Sequence, residues 1–226
     1  PYTINVLLTV FLLLFANFVR VITMDTTPAM YIISHVVVLM IYLGILVSWG
    51  ISVYDRIVNK VIRRHLIMLV VLMIFWMLMR TLRLTVFHHV FPVGQWCWYA
   101  YYISMILIPQ LCLFAAKYIG KPEGYRLPKK WYLMYIPSII LIAGILTNDL
   151  HQLAFRFHLG YEIGWDDYER TYLYYAAVIW IFSCIVFMIR EIVKRCRIPG
   201  THKTIWLPVE RPGHQQRRHH QLCFLW

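Results

Sequence analysis

Six long runs of apolar residues divide the chain. They cover residues 4–22, 28–53, 66–86, 94–116, 131–148 and 171–189. A helix needs about 20 mainly apolar residues to cross the hydrocarbon core of a bilayer, and the runs match that requirement. They lack the alternation of apolar and polar positions that strands of a membrane barrel show. Because backbone groups in lipid must pair within their own segment, the pattern predicts transmembrane helices and an all-α fold, a polytopic helical bundle.

Composition agrees with this prediction. The chain is 61% hydrophobic and 14% charged, whereas soluble domains are about 45–50% apolar and about 25% charged. A formal charge of +12 can indicate nucleic-acid binding, but in a bundle of apolar runs it more often reflects basic loops kept on the cytoplasmic side. We therefore expect the lipid bilayer as the main partner and no nucleic acid.

Basic residues concentrate on one side of the predicted bundle. They fall in the loop after the second run, the loop after the fourth run and the tail after the sixth, whereas most acidic residues fall in the other loops. Since Lys and Arg remain on the cytoplasmic side, both ends of this chain are expected in the cytoplasm. The tyrosines and tryptophans that open the fourth run, among them Trp98, Tyr99 and Tyr102, are interpreted as an interfacial belt at the opposite face.

The two ends of the chain have unusual sequences. We divide the chain into a helical domain, 1–190, and a basic cytoplasmic tail, 191–226. From Glu210 the tail is polar and aperiodic, which is typical either of a basic tail or of a frameshifted or truncated end. The chain opens at Pro1 directly before an apolar run, which predicts that the true start is missing.

Candidate chemistry at the end of the fifth run lies in the string from Thr147 to Phe155. Asn148 and Asp149 can cap a helix, and His151 can change charge near neutral pH. One interpretation is a polar helix end among lipid headgroups. The other places Asn148, Asp149 and His151 in a ligand or sensing pocket.

Two arginines, Arg80 and Arg83, lie three residues apart near the end of the third run. An arginine inside a membrane is costly and faces a partner, a cavity or the headgroups. Three interpretations remain: side chains that extend to the interface, an anion-binding site, or a buried pair with Asp149 or Asp25.

Catalytic and metal-binding motifs are not found in the sequence. The chain has no phosphate-binding glycine-rich loop, HExxH or GxSxG string, so no enzymatic activity and no cofactor are expected. The spacing of His88, His89, His151 and His158 matches no metal signature, and we predict no metal site.

From the fourth run onward the chain contains Pro109 and five further groups of residues: Leu127-Pro-Lys-Lys-Trp131, Tyr135-Ile-Pro137, Ile145–His151, Tyr172–Tyr175 and Arg197-Ile-Pro-Gly200. Taken together, these residues resemble the N-terminal seven-transmembrane sensor region of bacterial histidine kinases. In that family the Thr-Asn-x-x-His string ends the sixth helix, and here it ends the fifth. We therefore expect a seven-helix parent whose first helix this chain lacks.

The resemblance implies a sensor or input module in a bacterial inner membrane. Such a module senses an extracytoplasmic or membrane stimulus through an unknown ligand and passes a movement along its last helix. Its implied partners are a cytoplasmic kinase or cyclase output domain and a second copy in a homodimer. Two rivals remain, a small transporter or permease subunit and a lipid-modifying membrane enzyme that uses Asp149 and His151 as acid and base.

Overall fold

Seven helices and a short hairpin make up the described part of the computed structural model. The structure describes residues 2–22, 28–87, 90, 92–121, 124–157 and 168–196, with side chains from 7–19, 21 and 29–194 within those ranges. In chain order the helices are α1 (Tyr2–Ile22), α2 (Pro28–Arg56), α3 (Lys60–Thr85), α4 (Val93–Tyr118), α5 (Tyr135–Leu146), α6 (Asn148–His151) and α7 (Tyr172–Cys196). A 3-10 helix, Lys129–Met134, leads directly into α5, and strands β1 (Phe155–Phe157) and β2 (Tyr168–Arg170) precede α7.

The predicted all-α polytopic bundle is confirmed. Five helical segments of the described residues are long and apolar enough to cross a membrane: Ala29–Arg56, Lys60–Thr85, Val93–Tyr118, Lys129–Leu146 and Tyr172–Lys194. The first predicted run is also helical, but its apolar stretch among the described residues is the shorter Leu7–Val19. A sixth span therefore stays a prediction.

Helix α3 begins earlier than its apolar run. The side chain of Asn59 caps the helix, because its Oδ1 accepts the backbone N–H groups of Val61 (3.0 Å) and Ile62 (3.3 Å). Such a cap satisfies donors that otherwise have no partner in the first turn. The basic residues Arg63 and Arg64, expected in a loop, therefore lie on the first turns of the helix.

The central element of the bundle is α4. Over half of its most apolar window, 56%, is buried, against 17% or less in the other spanning segments. It packs against α3 on one side and against α5 and α7 on the other, while α1 and α2 continue outward from α3. The apolar side chains exposed on α1, α2 and α7 face the surroundings of the bundle, where lipid replaces water.

A two-stranded antiparallel hairpin interrupts the helical pattern before α7. Phe155 pairs with Arg170, and Phe157 pairs with Tyr168. Phe155 is fully buried against Trp98 and Tyr99 of α4. These strands are not predictable from the apolar pattern, because each is only three residues long and lies beside a polar segment.

Candidate functional site

A closed hydrogen-bonded network joins α4 to α6. The Tyr99 hydroxyl accepts from Gln95 Nε2 (2.9 Å) and Asn148 Nδ2 (3.1 Å) and donates to Asp149 Oδ1 (2.9 Å). Gln95 Nε2 also donates to Asp149 Oδ1 at 2.6 Å. The phenol thus uses its proton and both lone pairs, which is the full capacity of a hydroxyl group. Tyr99, Gln95 and Asn148 are all buried. The network is therefore accessible from outside only at Asp149, which is exposed.

Asn148 is the centre of a second set of bonds, to the backbone. Its Oδ1 accepts from the N–H groups of Ala154 (2.9 Å) and Phe155 (3.0 Å), and its Nδ2 donates to the Phe155 carbonyl (2.9 Å). With the bond to Tyr99, both amide hydrogens and both oxygen lone pairs are used. Asn148 therefore holds the start of β1 in place, which is more than the helix-capping role considered from the sequence.

His151 adopts one defined tautomer. The Leu153 backbone N–H donates to Nδ1 at 3.0 Å, and because an N–H group only donates, Nδ1 accepts and the proton lies on Nε2. Nε2 is 3.3 Å from Thr147 Oγ1, whose own proton goes to the Ala143 carbonyl (2.8 Å). His151 therefore stabilises the turn after α6 through its acceptor Nδ1.

The turn that follows α6 is attached directly to α7. Gln152 takes the left-handed conformation (φ 50°), and its N–H bonds to the Asn148 carbonyl at 2.7 Å. The next two carbonyls, of Leu153 and Ala154, accept from the backbone N–H groups of Leu173 and Thr171, both at 3.0 Å. The position of the first turn of α7 is therefore set by the segment that Asn148 and His151 hold.

Arg80 and Arg83 lie in a different place, a cleft between α2, α3 and α4. The cleft has a volume of about 440 Å³. Its lining is Tyr31, His35, Trp76, Arg80, Arg83, Leu84, Tyr101 and Met105. His35 bonds within its own helix, with Nδ1 2.9 Å from the Tyr31 carbonyl. The predicted site residues thus form two groups on opposite sides of α4.

One aromatic side chain lies between the two groups. The Arg83 guanidinium lies 5.2 Å from the centre of the Trp98 ring, and Trp98 contacts Phe155 with ring centres 4.4 Å apart. Asp149 accepts from two uncharged donors, Gln95 and Tyr99, instead of pairing with an arginine as one interpretation of the sequence held. Asp25 lies outside the described residues, as do His88, His89 and His158.

Residues missed by sequence reasoning are mostly on α4. Trp98, Tyr99 and Tyr102 are 2%, 0% and 7% exposed, so they belong to the core and the interpretation as an interfacial belt was wrong for them. The belt prediction failed because aromatic residues favour both the interface and buried packing. The sequence did contain a signal for this network, because Gln95 and Tyr99 are polar groups four residues apart on one face of an apolar helix.

The far end of α7 is also tied to α4. Lys117 Nζ forms an ion pair with Glu191 Oε1 at 3.1 Å and lies 3.4 Å from the centre of the Trp131 ring. Midway along the helices, Trp180 Nε1 donates to Ser138 Oγ (2.8 Å), which donates to the buried Gln110 Oε1 (2.6 Å). Backbone bonds at its first turn and polar side chains at its middle and far end therefore connect α7 to the rest of the bundle.

Comparison with known proteins identifies the family. The family described as the N-terminal 7TM region of histidine kinase matches residues 32–207, which is more than half of the chain. This chain belongs to that family. No curated protein and no solved structure matched it. Membership identifies the chain as a multi-pass membrane protein of the type that forms the membrane input region of histidine kinases.

Proposed function

We propose that this chain detects an extracytoplasmic or membrane stimulus and relays it through α7 to a cytoplasmic kinase or cyclase output. In this proposal Arg80, Arg83, Asn148, Asp149 and His151 form the sensing end. The C-terminal end of α7 lies on the cytoplasmic side of a bacterial inner membrane, in keeping with the basic residues there.

The observation that carries the proposal is the attachment of α7 to the sensing end. Backbone bonds join Thr171 and Leu173 to the turn that Asn148 and His151 hold. A ligand that binds one arrangement of this turn better than another shifts the population of α7 positions by its difference in affinity. At the other end, the bond between Lys117 and Glu191 would then differ between the two arrangements.

A distance measurement tests the relay. Spin labels at Val58 and Val193, which are 79% and 46% exposed, report the position of the inner end of α7 in nanodiscs after the native cysteines are replaced. We expect Asn148→Ala to shift the distance distribution, because it releases the start of β1 and the turn before α7. Leu150→Ala is the control, since that side chain is 86% exposed in the same short helix.

Identical distributions in the wild type and Asn148→Ala would overturn the relay. Solute uptake by proteoliposomes, together with unchanged label distances, would favour the transporter or permease instead.

A further inference from the structure

Two adjoining cavities lie between the first four helices. The wider one is the cleft of about 440 Å³ that holds Arg80 and Arg83. The narrower one measures about 240 Å³ and extends among α1, α2 and α3. His35, Trp76, Arg80 and Leu84 line both cavities, so the two adjoin along these side chains and are taken together as one space.

The wider cavity has cationic walls. Arg80 and Arg83 lie on one face of α3, and no acidic residue occurs among the described residues that line either cavity. A guanidinium group is planar and weakly hydrated, and it can bind a carboxylate or phosphate through two parallel hydrogen bonds. The charge of this end therefore complements an anionic headgroup.

The narrower cavity is mostly apolar. It extends along α3 to Met73 and Met77 and is also lined by Val38 and Leu46 of α2 and Ala16 of α1. From Arg83 to Met73 is ten residues, or roughly 15 Å at the rise of an α-helix. That distance is about half of the 30 Å hydrocarbon core, which is the depth that one acyl chain reaches. Methionine side chains also adapt to flexible apolar ligands.

We propose that this space binds an anionic amphiphile. Its carboxylate or phosphate headgroup lies at Arg80 and Arg83, and one acyl chain extends past Trp76 to Met73. The inference deepens the proposed sensor function by naming the ligand class of the Arg80–Arg83 cleft, and it rests on that function only for what binding does to α7.

Trp76 provides the readout, because it lines both parts of the space. The purified chain in zwitterionic nanodiscs is titrated with brominated phosphatidylglycerol, dibromostearate or brominated phosphatidylcholine, since bromine on an acyl chain quenches a nearby indole. The same titrations of Trp76→Phe are subtracted, which removes the signal of the other tryptophans. We expect saturable quenching of Trp76 by the anionic probes and none above the linear background by phosphatidylcholine.

Variants separate the headgroup from the chain. Arg80→Gln with Arg83→Gln is expected to weaken binding of the anionic probes by about tenfold or more, since the charge-assisted hydrogen bonds to the headgroup are lost. Arg80→Lys with Arg83→Lys, which keeps the charge, should bind with intermediate affinity. Arg63→Gln is the matched control, because Arg63 lies over Tyr54 away from the cavities.

A third variant tests the acyl chain independently of the arginines. Met73→Phe adds bulk at the deep end of the space without adding an indole, and it should weaken binding of an 18-carbon acid while leaving a 10-carbon acid almost unaffected. Phosphatidylglycerol and dibromostearate distinguish a membrane phospholipid from a free fatty acid as the source of the ligand.

Several outcomes would overturn the proposal. They are equal quenching by phosphatidylcholine, an affinity that the double glutamine variant leaves unchanged, or inorganic phosphate that competes fully with probes of every chain length. Binding as expected without any change in the distance between Val58 and Val193 would retain the ligand site and reject the relay.

Discussion

The two sides of α4 differ in how their polar groups are arranged. On the side of α6 and α7, Gln95, Tyr99 and Asn148 are buried, and their hydrogen bonds join one another, Asp149 and the backbone of β1. On the side of α2 and α3, Arg80 and Arg83 border a space of about 440 Å³. A filled, fully bonded region resists rearrangement, whereas a cavity with charged walls is ready to accept a ligand.

The two groups of predicted site residues therefore have different roles. Asn148 and His151 use their polar atoms to hold the turn before α7. The side chains of Arg80 and Arg83 lie at the border of a cavity. Substitutions on the closed side should therefore change stability, and substitutions on the open side should change binding.

The largest effect is expected for Asn148→Ala. The change removes four hydrogen bonds and leaves the buried N–H groups of Ala154 and Phe155 without their acceptor, at a cost of about 1–3 kcal/mol for each unsatisfied group. We expect the free energy of unfolding to fall by about 3 kcal/mol or more, measured by steric trapping in bicelles. Asp149→Asn, which keeps an oxygen in the position of Oδ1, should lose less than half as much; equal losses would contradict the assignment of Asn148 as the centre of the network.

The ion pair at the inner end of α7 should come next. Glu191→Gln removes the carboxylate from Lys117, which is only 6% exposed, and a buried ammonium group that loses its partner is costly. We expect a loss of about 2 kcal/mol in the same assay. A double-mutant cycle with Lys117→Met measures the coupling, and a coupling energy near zero would show that the pair contributes nothing to holding α7.

Substitution of His151 should lower stability by less, and the loss should depend on whether the new side chain retains a hydrogen-bond acceptor. His151→Asn retains an acceptor near the position of Nδ1 for the Leu153 N–H, whereas His151→Leu removes it, which costs about 1 kcal/mol. Thermal unfolding should therefore rank Asn above Leu, and the signalling response in a full-length kinase should follow the same order. If the two variants unfold at the same temperature, the acceptor of His151 does not contribute to stability.

The smallest effect on stability is expected on the open side. Arg83→Gln removes one cation–π contact with Trp98, worth about 0.5–1 kcal/mol at such a site, and Arg80→Gln should cost no more. Both belong in the steric-trapping series as the counterparts of Asn148→Ala. Losses above about 2 kcal/mol would mean that the arginines support the fold as strongly as the closed network does, and the contrast between the two sides would disappear.

The helices were accessible from sequence because their signal is local. Continuous apolar runs predicted the segments that became α2, α3, α4, α5 and α7, with ends displaced by a few residues where Asn59 caps α3 and where a 3-10 helix begins at Lys129. Asn148 was singled out as a candidate from its place in a polar string. Its partners were not, because Gln95 and Tyr99 are about fifty residues away along the chain and their pairing depends on how α4 packs.

By itself, the sequence determined a helical membrane bundle, because water-free surroundings leave an apolar run few other ways to pair its backbone groups. The sequence also contains the polar residues of the network around Asn148 and the two arginines that border the cavity. Only the tertiary structure decided that Trp98, Tyr99 and Tyr102 are core residues and that the predicted site divides into two parts. Both facts depend on which face of α4 meets which neighbour, and helix packing is set by contacts between segments far apart in the chain.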